Sequence, residues 1–304
     1  MCSCWPPLGL WLRSTATELR WVAVDAGIDA PSILGGMGQM GRDILDDISK
    51  ETFWYSVAFV KVKEQGGDEI PCLQGSGVLV QYRTFYGILT AAHVAAELAK
   101  LDFIGMVYSE EPTQIGYKKD VFRIDTIMYK KGDIHGPDLA LVTPPIKLLN
   151  ELKAKKSFVN LIKGPEPLDF ALGGSLTSVW SIMGAVQELS ANEGPERNLR
   201  AMLMSYSCAE PFFQTHNDYD LFELRAEISK NTDTPGSFGG VSGGGLWRIV
   251  LELQGGEAKI RQHPKLMGIA FYQGDIVNDA RIIRGHGPSS AYDMVRSFLS
   301  RWRI

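Results

Sequence analysis

Cysteine is scarce in this chain, and its spacing pairs nothing. Of four cysteines in 304 residues, Cys2 and Cys4 lie near the N-terminus, and Cys72 and Cys208 stand far apart. That is no disulfide framework, and no C-x-x-C pair suggests a metal site. A reducing compartment fits this usage. A basic excess is also missing. The net charge is −4 and the pI near 5.8, which argues against a phosphate-binding surface and so against nucleic acid as a partner. The short runs Lys118-Lys119 and Lys153 with Lys155-Lys156 read as solvated faces. No apolar run approaches the roughly 18 residues of a membrane helix. The first residues have no basic start, carry Pro6-Pro7 and offer no clean small-x-small cleavage site, a poor signal peptide. The expectation is a cytoplasmic protein without membrane contact. No repeat of 20–50 residues is visible.

The balance that is present, 45% apolar and 22% charged, supports a core of ordinary size without a staple. Residues 1–38 show no sustained periodicity and are rich in Gly, Pro, Ala and Ser. Ile44, Leu45 and Ile48 fall at helical spacing, which predicts a short helix over 41–50. The domain reading is therefore an extension with a helix over 1–50 and one domain over 51–304. From residue 53 the texture is strands and turns. Strands are predicted at 53–63, 75–82, 87–90, 102–108, 121–129, 138–142, 177–183, 199–206, 220–228, 245–252 and 266–272, with helices at 147–157 and 289–302. Many short strands suggest a sandwich or barrels.

Three segments carry chemistry. Gly239-Gly240-Val241-Ser242-Gly243-Gly244-Gly245 offers a nucleophile in a turn that glycines allow to be tight. The N–H groups of Gly240 and Ser242 are the expected oxyanion donors, because such donors must wait where charge develops. Leu89-Thr90-Ala91-Ala92-His93-Val94 offers a base, with small alanines leaving room for the ring at a strand-to-helix turn. Pro137-Asp138-Leu139-Ala140-Leu141 offers a carboxylate at the start of a strand. A carboxylate that accepts the Nδ1 proton fixes the tautomer of the base and stabilises the imidazolium. Asp133 is a nearby competitor for that role.

Gly75-Ser76-Gly77-Val78, Thr90-Ala91-Ala92-His93, Asp138-Leu139-Ala140-Leu141 and Gly240-Val241-Ser242-Gly243-Gly244, in that order, resemble the chymotrypsin/trypsin family of serine proteases. The gaps of 45 and 104 residues between His93, Asp138 and Ser242 suit that family. The resemblance spans residues 51–304. It implies an all-β fold of two six-stranded antiparallel β-barrels with a C-terminal helix. It implies a polypeptide substrate, hydrolysis through an acyl-enzyme, and neither cofactor nor metal. It places Gly236, Ser237, Phe271, Tyr272 and Gln273 at the substrate cleft.

The chain departs from the secreted members. No cysteine follows His93 closely, and Val241 stands where their activation Asp precedes the serine. Ile33-Leu34-Gly35-Gly36 imitates an activation sequence but lies 60 residues before His93. No zymogen switch of that kind is expected, and the chain looks more like intracellular bacterial members. Six positions before the nucleophile is Gly236, where basic-specific members carry Asp, and Gln273 replaces a pocket-opening Gly. A small or mid-sized apolar P1 residue is the reading.

Two alternatives come from other classes. One is a silent protease fold that captures peptides. The other is a protease switched on by a regulatory protein partner, as in a bacterial stress or defence system. Gly36-Met37-Gly38-Gln39-Met40-Gly41 matches G-x-G-x-x-G, but no convincing strand precedes it and no alternation of strand and helix follows. The other histidines, His135, His216, His263 and His286, read as surface or turn residues, His286 at the lead-in to the final helix.

Overall fold

The computed structural model describes residues 39–65, 68–109, 116–164, 176–188, 190–193, 198–200, 203–208, 210–216, 218–227, 236–254 and 257–302. The Ile33–Gly36 imitation and Gly36 and Gly38 of the glycine motif lie outside them. Gly41 falls inside a helix.

The described chain opens with α1 (Gln39–Phe53). The first sheet is built from β1 (Ser56–Gln65), β2 (Asp68–Tyr82), β3 (Phe85–Thr90), β4 (Phe103–Val107), β5 (Gly116–Lys118), β6 (Arg123–Tyr129), β7 (Asp138–Thr143) and β8 (Val159–Asn160). Helix α2 (Ala92–Leu98) follows β3, and α3 (Ile146–Lys155) follows β7. The order across the sheet is β5-β4-β1-β2-β3-β7-β6, with β8 beside β2. A ribbon pairs β10 (Ala191–Glu193) with β11 (Asn198–Arg200). The second sheet holds β9 (Leu176–Ala185), β12 (Leu203–Cys208), β13 (Phe212–His216), β14 (Tyr219–Glu227), β15 (Gly245–Gln254), β16 (Glu257–Ile260), β17 (Lys265–Val277) and β18 (Ala280–His286). Its order is β12-β9-β15-β17-β18-β14-β13, with β16 beside β15. A π-helical turn (Ser290–Met294) runs into the closing helix α4 (Val295–Ser300).

This is the all-β architecture of two antiparallel units and a C-terminal helix that was expected. Among the described residues the strand count differs, eight per sheet against six, because short strands such as β5, β8, β13 and β16 extend the sheets. Of the strands that escaped the sequence reading, β18 is the most consequential. In Ala280-Arg281-Ile282-Ile283-Arg284-Gly285-His286 two arginines break the apolar pattern that marks a strand. Yet β18 pairs with β14 on one side and β17 on the other.

Alternation with period two explains the packing. On β1 and β2, Ala58, Val60, Val78 and Val80 join a core shared with Val179, Met183, Trp247 and Ile249 of the second sheet. Their neighbours Val57, Phe59 and Leu79 face a different core, closed by Val94, Ala95 and Leu98 of α2 and Leu148 and Leu152 of α3. Both faces are buried, so these strands read as continuous apolar runs. Ile44, Leu45 and Ile48 of α1 enter the shared core. The helix continues through position 50, so the boundary read between 50 and 51 falls inside an element that packs with the strands. Among the described residues no helix is long and apolar enough to cross a membrane.

Candidate active site

The two sheets meet where the three chemistry-bearing segments lie. His93 is the second residue of α2, directly after β3. Ala91 and Ala92 are buried, and their small side chains let the chain turn from strand to helix under the ring. Asp138 is the first residue of β7 and is buried. Both carboxylate oxygens face His93: Oδ1 accepts its backbone N–H at 2.8 Å, and Oδ2 lies 2.6 Å from Nδ1. This pair of bonds fixes the ring and places the proton on Nδ1, leaving Nε2 as the basic nitrogen. Asp133 does not compete. It bonds the backbone N–H of His135 and pairs with Lys130 at the surface, which hold its carboxyl below the ordinary range.

Ser242 sits in the glycine turn before β15 in the second sheet. Gly240 and Gly243 have φ of +92° and +89°, the left-handed region that side chains avoid. The turn is tied down from outside. Val241 N–H bonds the Phe238 carbonyl at 3.0 Å, Gly243 N–H the Ala270 carbonyl at 2.7 Å, and Gly244 N–H the Val241 carbonyl at 2.7 Å. Ser76 of β2 reaches across from the first sheet. Its N–H donates to the Ser242 carbonyl at 2.8 Å, and its Oγ donates to the Gly240 carbonyl at 2.7 Å. Ala185 N–H in turn donates to that Oγ at 2.8 Å. The buried Thr90 hydroxyl donates to the Ser76 carbonyl at 2.6 Å.

The peptide linking Gly239 and Gly240 has a defined orientation. The Gly239 carbonyl accepts from Gln187 N–H at 2.7 Å, so the Gly240 N–H, trans to it, points the opposite way. Among the described residues neither the Gly240 nor the Ser242 N–H donates to a protein acceptor. The Ser242 hydroxyl donates weakly to the Phe271 carbonyl at 3.4 Å and makes no hydrogen bond with His93. Such bonds are often long in unliganded sites and tighten with substrate.

No family model matches the sequence. No curated protein matches it either. Solved structures do. The Rv3671c protease of M. tuberculosis in its active form is similar at a TM-score of 0.38 and 14% identity, over 90% of this chain and 89% of that one. An inactive serine-to-alanine mutant form of the same protein from M. tuberculosis H37Rv matches at 0.36 and 15%, over 82% and 90%. A structure described for the coupled folding and binding of the Sesbania mosaic virus VPg protein matches at 0.38 and 12%, over 79% and 88%. Likenesses this distant decide nothing about the chemistry, which is read from the geometry.

The residues expected at the cleft fall into two groups. Gly236, Ser237 and Gln273 come together. Gln273 Oε1 accepts the Phe238 N–H at 2.8 Å, and its Nε2 lies 3.3 Å from Ser237 Oγ. This side chain bridges segment 236–241 and strand β17. Arg281 ties the same two walls, donating to the Gly236 carbonyl at 2.6 Å and the Gly274 carbonyl at 2.7 Å. Glu188 braces segment 236–241 by accepting from Ser237 N–H at 2.8 Å. Phe271 differs from the expectation of a cleft wall. Its side chain is buried and packs on His286 with ring centroids 5.0 Å apart, so only its backbone faces Ser242. Tyr272 is half-buried, with Arg284 over its ring at 5.7 Å.

Ser76, Thr90, Glu188, Arg281 and His286 are site residues that the sequence reading did not assign. The Gly75-Ser76-Gly77 motif held a signal for Ser76; nothing local marked His286. Its ring is fully buried, and its Nε2 accepts the Asp138 backbone N–H at 2.9 Å. Burial pushes its pKa down to about 4, against the pull of Asp138 and Asp220. The ring is therefore neutral near pH 7. Among the described residues no group of three or more His, Cys, Asp or Glu side chains is placed to hold a metal ion.

Proposed function

We propose that the chain is a serine endopeptidase in which Ser242 attacks the scissile carbonyl, His93 moves the proton and Asp138 orients His93. The observation that carries this reading is the grip of one buried carboxylate on both the backbone N–H and Nδ1 of His93. It leaves Nε2 as the free base, and the serine of the braced glycine turn is the nucleophile it would serve.

In the first step the Ser242 hydroxyl turns from the Phe271 carbonyl to His93 Nε2. The 3.4 Å bond it gives up is weak, so the rotation costs little. Oγ then adds to the carbonyl carbon as the proton passes to Nε2. The imidazolium that forms is stabilised by Asp138. Negative charge on the carbonyl oxygen is met by the N–H groups of Gly240 and Ser242. Collapse expels the amine, which takes the proton from Nε2, and leaves an acyl-Ser242 ester. Water, deprotonated by the same nitrogen, releases the acid.

The reading is tested by labelling purified protein with a fluorophosphonate, which phosphonylates only an activated serine. Wild type is expected to label and Ser242→Ala to show no label. Equal labelling of both proteins would defeat the assignment of Ser242.

The alternative of a silent or partner-activated fold predicts a flipped peptide within 239–241. The Gly239 carbonyl is taken by Gln187 N–H, which leaves the Gly240 N–H on the opposite side of the peptide and supports the enzyme. Labelling of the protein alone, without any partner, would count against the switch.

The bridge made by Gln273 narrows the space beside Ser242 and favours a small residue at P1. Gln273→Gly is expected to raise kcat/KM for a P1 Leu peptide relative to a P1 Ala peptide by about tenfold, the scale set by side-chain fit in an apolar pocket. An unchanged Leu/Ala ratio would show that Gln273 does not limit the pocket.

A further inference from the structure

Asp138 spends both carboxylate oxygens on His93, so its side chain is tied to that residue alone. Its backbone is tied elsewhere. Strand β7 is held along one side by β6, with Tyr129 opposite Asp138. The Asp138 N–H is taken by a side chain 148 residues away in sequence, the Nε2 of His286 at the end of β18. That bond crosses from the second sheet to the first.

His286 also touches the serine side of the site. Its ring packs on Phe271, centroids 5.0 Å apart, and the Phe271 carbonyl is the present acceptor of the Ser242 hydroxyl. Tyr219 closes the other flank at 5.6 Å. One imidazole thus contacts the backbone that carries the carboxylate and the residue that receives the nucleophile's hydroxyl.

The chemistry of the ring narrows its role. An N–H donated to Nε2 requires that nitrogen to be unprotonated, so the proton of the neutral ring is on Nδ1. Nδ1 is buried and meets no acceptor at good hydrogen-bond geometry, but the nearby Asp220 carbonyl supports its proton. A phenylalanine or leucine would fill this space but would leave the Asp138 N–H without its acceptor.

We propose that His286 is a positioning residue for the Asp138–His93 pair, its Nε2 holding the Asp138 backbone so that the carboxylate stays aimed at His93. This rests on the protease reading of the same site. The ionisable groups that face the ring are Asp138 of β7, and Asp220 and Tyr219 of β14. The Asp220 carboxylate is occupied by the Ser289 and Ser290 N–H groups and the Ser290 hydroxyl. Asp138 is therefore the partner whose placement His286 can change.

Three variants test this. Gln places an amide oxygen near the position of Nε2, Leu keeps bulk without an acceptor, and Asn offers its oxygen one bond short. Fluorophosphonate labelling rates and kcat and KM on a peptide substrate are measured for each at pH 8. His286→Leu is expected to lose roughly 30-fold or more in kcat, the scale of a misplaced catalytic group, with KM little changed. His286→Gln is expected to remain within about threefold of wild type, and His286→Asn to fall like Leu. If Leu does not fold, the Gln-against-Asn comparison decides, since both are polar and differ only in reach. Equal kinetics for all the folded variants would overturn the proposal and leave His286 as packing. A wild type that does not label would remove the protease reading itself, and the proposal with it.

Discussion

Asp138→Asn leaves a folded protein with about one ten-thousandth of the wild-type kcat. The size of this effect follows from the two bonds that Asp138 makes. The backbone N–H of His93 needs an acceptor, now Oδ1 at 2.8 Å. Asparagine has one oxygen, and the rigid backbone donor claims it. The amide NH2 then faces Nδ1, at the place where Oδ2 sits 2.6 Å away today. Two N–H groups cannot face each other, so His93 must move its proton to Nε2. An Nε2 that carries a proton cannot receive one from Ser242. The substitution thus keeps the shape and inverts the tautomer. Thermal unfolding should change little, while the labelling rate falls with kcat. A loss of less than tenfold would mean that Asp138 does not set the tautomer.

Gly243→Ala removes activity by a different route, through the turn itself. A Cβ at Gly243 would lie 2.0 Å from the Ser76 carbonyl oxygen and 2.2 Å from Thr90 Oγ1. Neither can retreat. The Ser76 carbonyl is backbone of a central strand, and the Thr90 hydroxyl is hydrogen-bonded to that oxygen at 2.6 Å. The backbone of Gly243 cannot change instead, because its φ of +89° is set by its bond to Ala270. Strain of this kind costs about 3 kcal/mol or more. The expected result is a variant unfolded at markedly lower denaturant and unlabelled by fluorophosphonate even where it remains folded. Gly236→Ala is the control: the nearest atom to its Cβ is 3.7 Å away, and stability should move by under about 0.5 kcal/mol. Similar losses in both variants would show that the turn is not uniquely braced.

Both predictions concern segments that were legible without coordinates. His93 and Ser242 announce themselves because their surroundings are local: two alanines before a histidine, and a run of glycines around a serine. Each run exists to satisfy the backbone at that point. Asp138 was legible as a carboxylate opening an apolar strand. The competitor Asp133 was removed only by its surface partners, Lys130 and the backbone of His135.

The residues that support the site were another matter. Arg281 and Arg284 look like turn or surface residues in sequence, and they hid β18. In the folded chain Arg284 is bound to Glu223 and to the Ile134 carbonyl. Arg281 bridges the Gly274 and Gly236 carbonyls. Their charges are tolerated inside a sheet because distant acceptors meet them. His286 was read as a turn residue for the same reason. Its partner is 148 residues away, and no local pattern can announce such a pairing. Phe271 was placed on the cleft wall, but the strand's alternation turns its ring inward against His286.

The sequence by itself determined the all-β class and the glycine turn that carries Ser242. Those follow from short-range rules: side-chain period along a strand, and backbone angles that only glycine accepts. Only the tertiary structure decided which carboxylate grips the histidine, what closes the space beside the serine, and what holds Asp138 from behind. Those are contacts between segments far apart in the chain. They exist because two sheets, each unable to bury both faces alone, must pack against each other, and the site is built at the line where they meet.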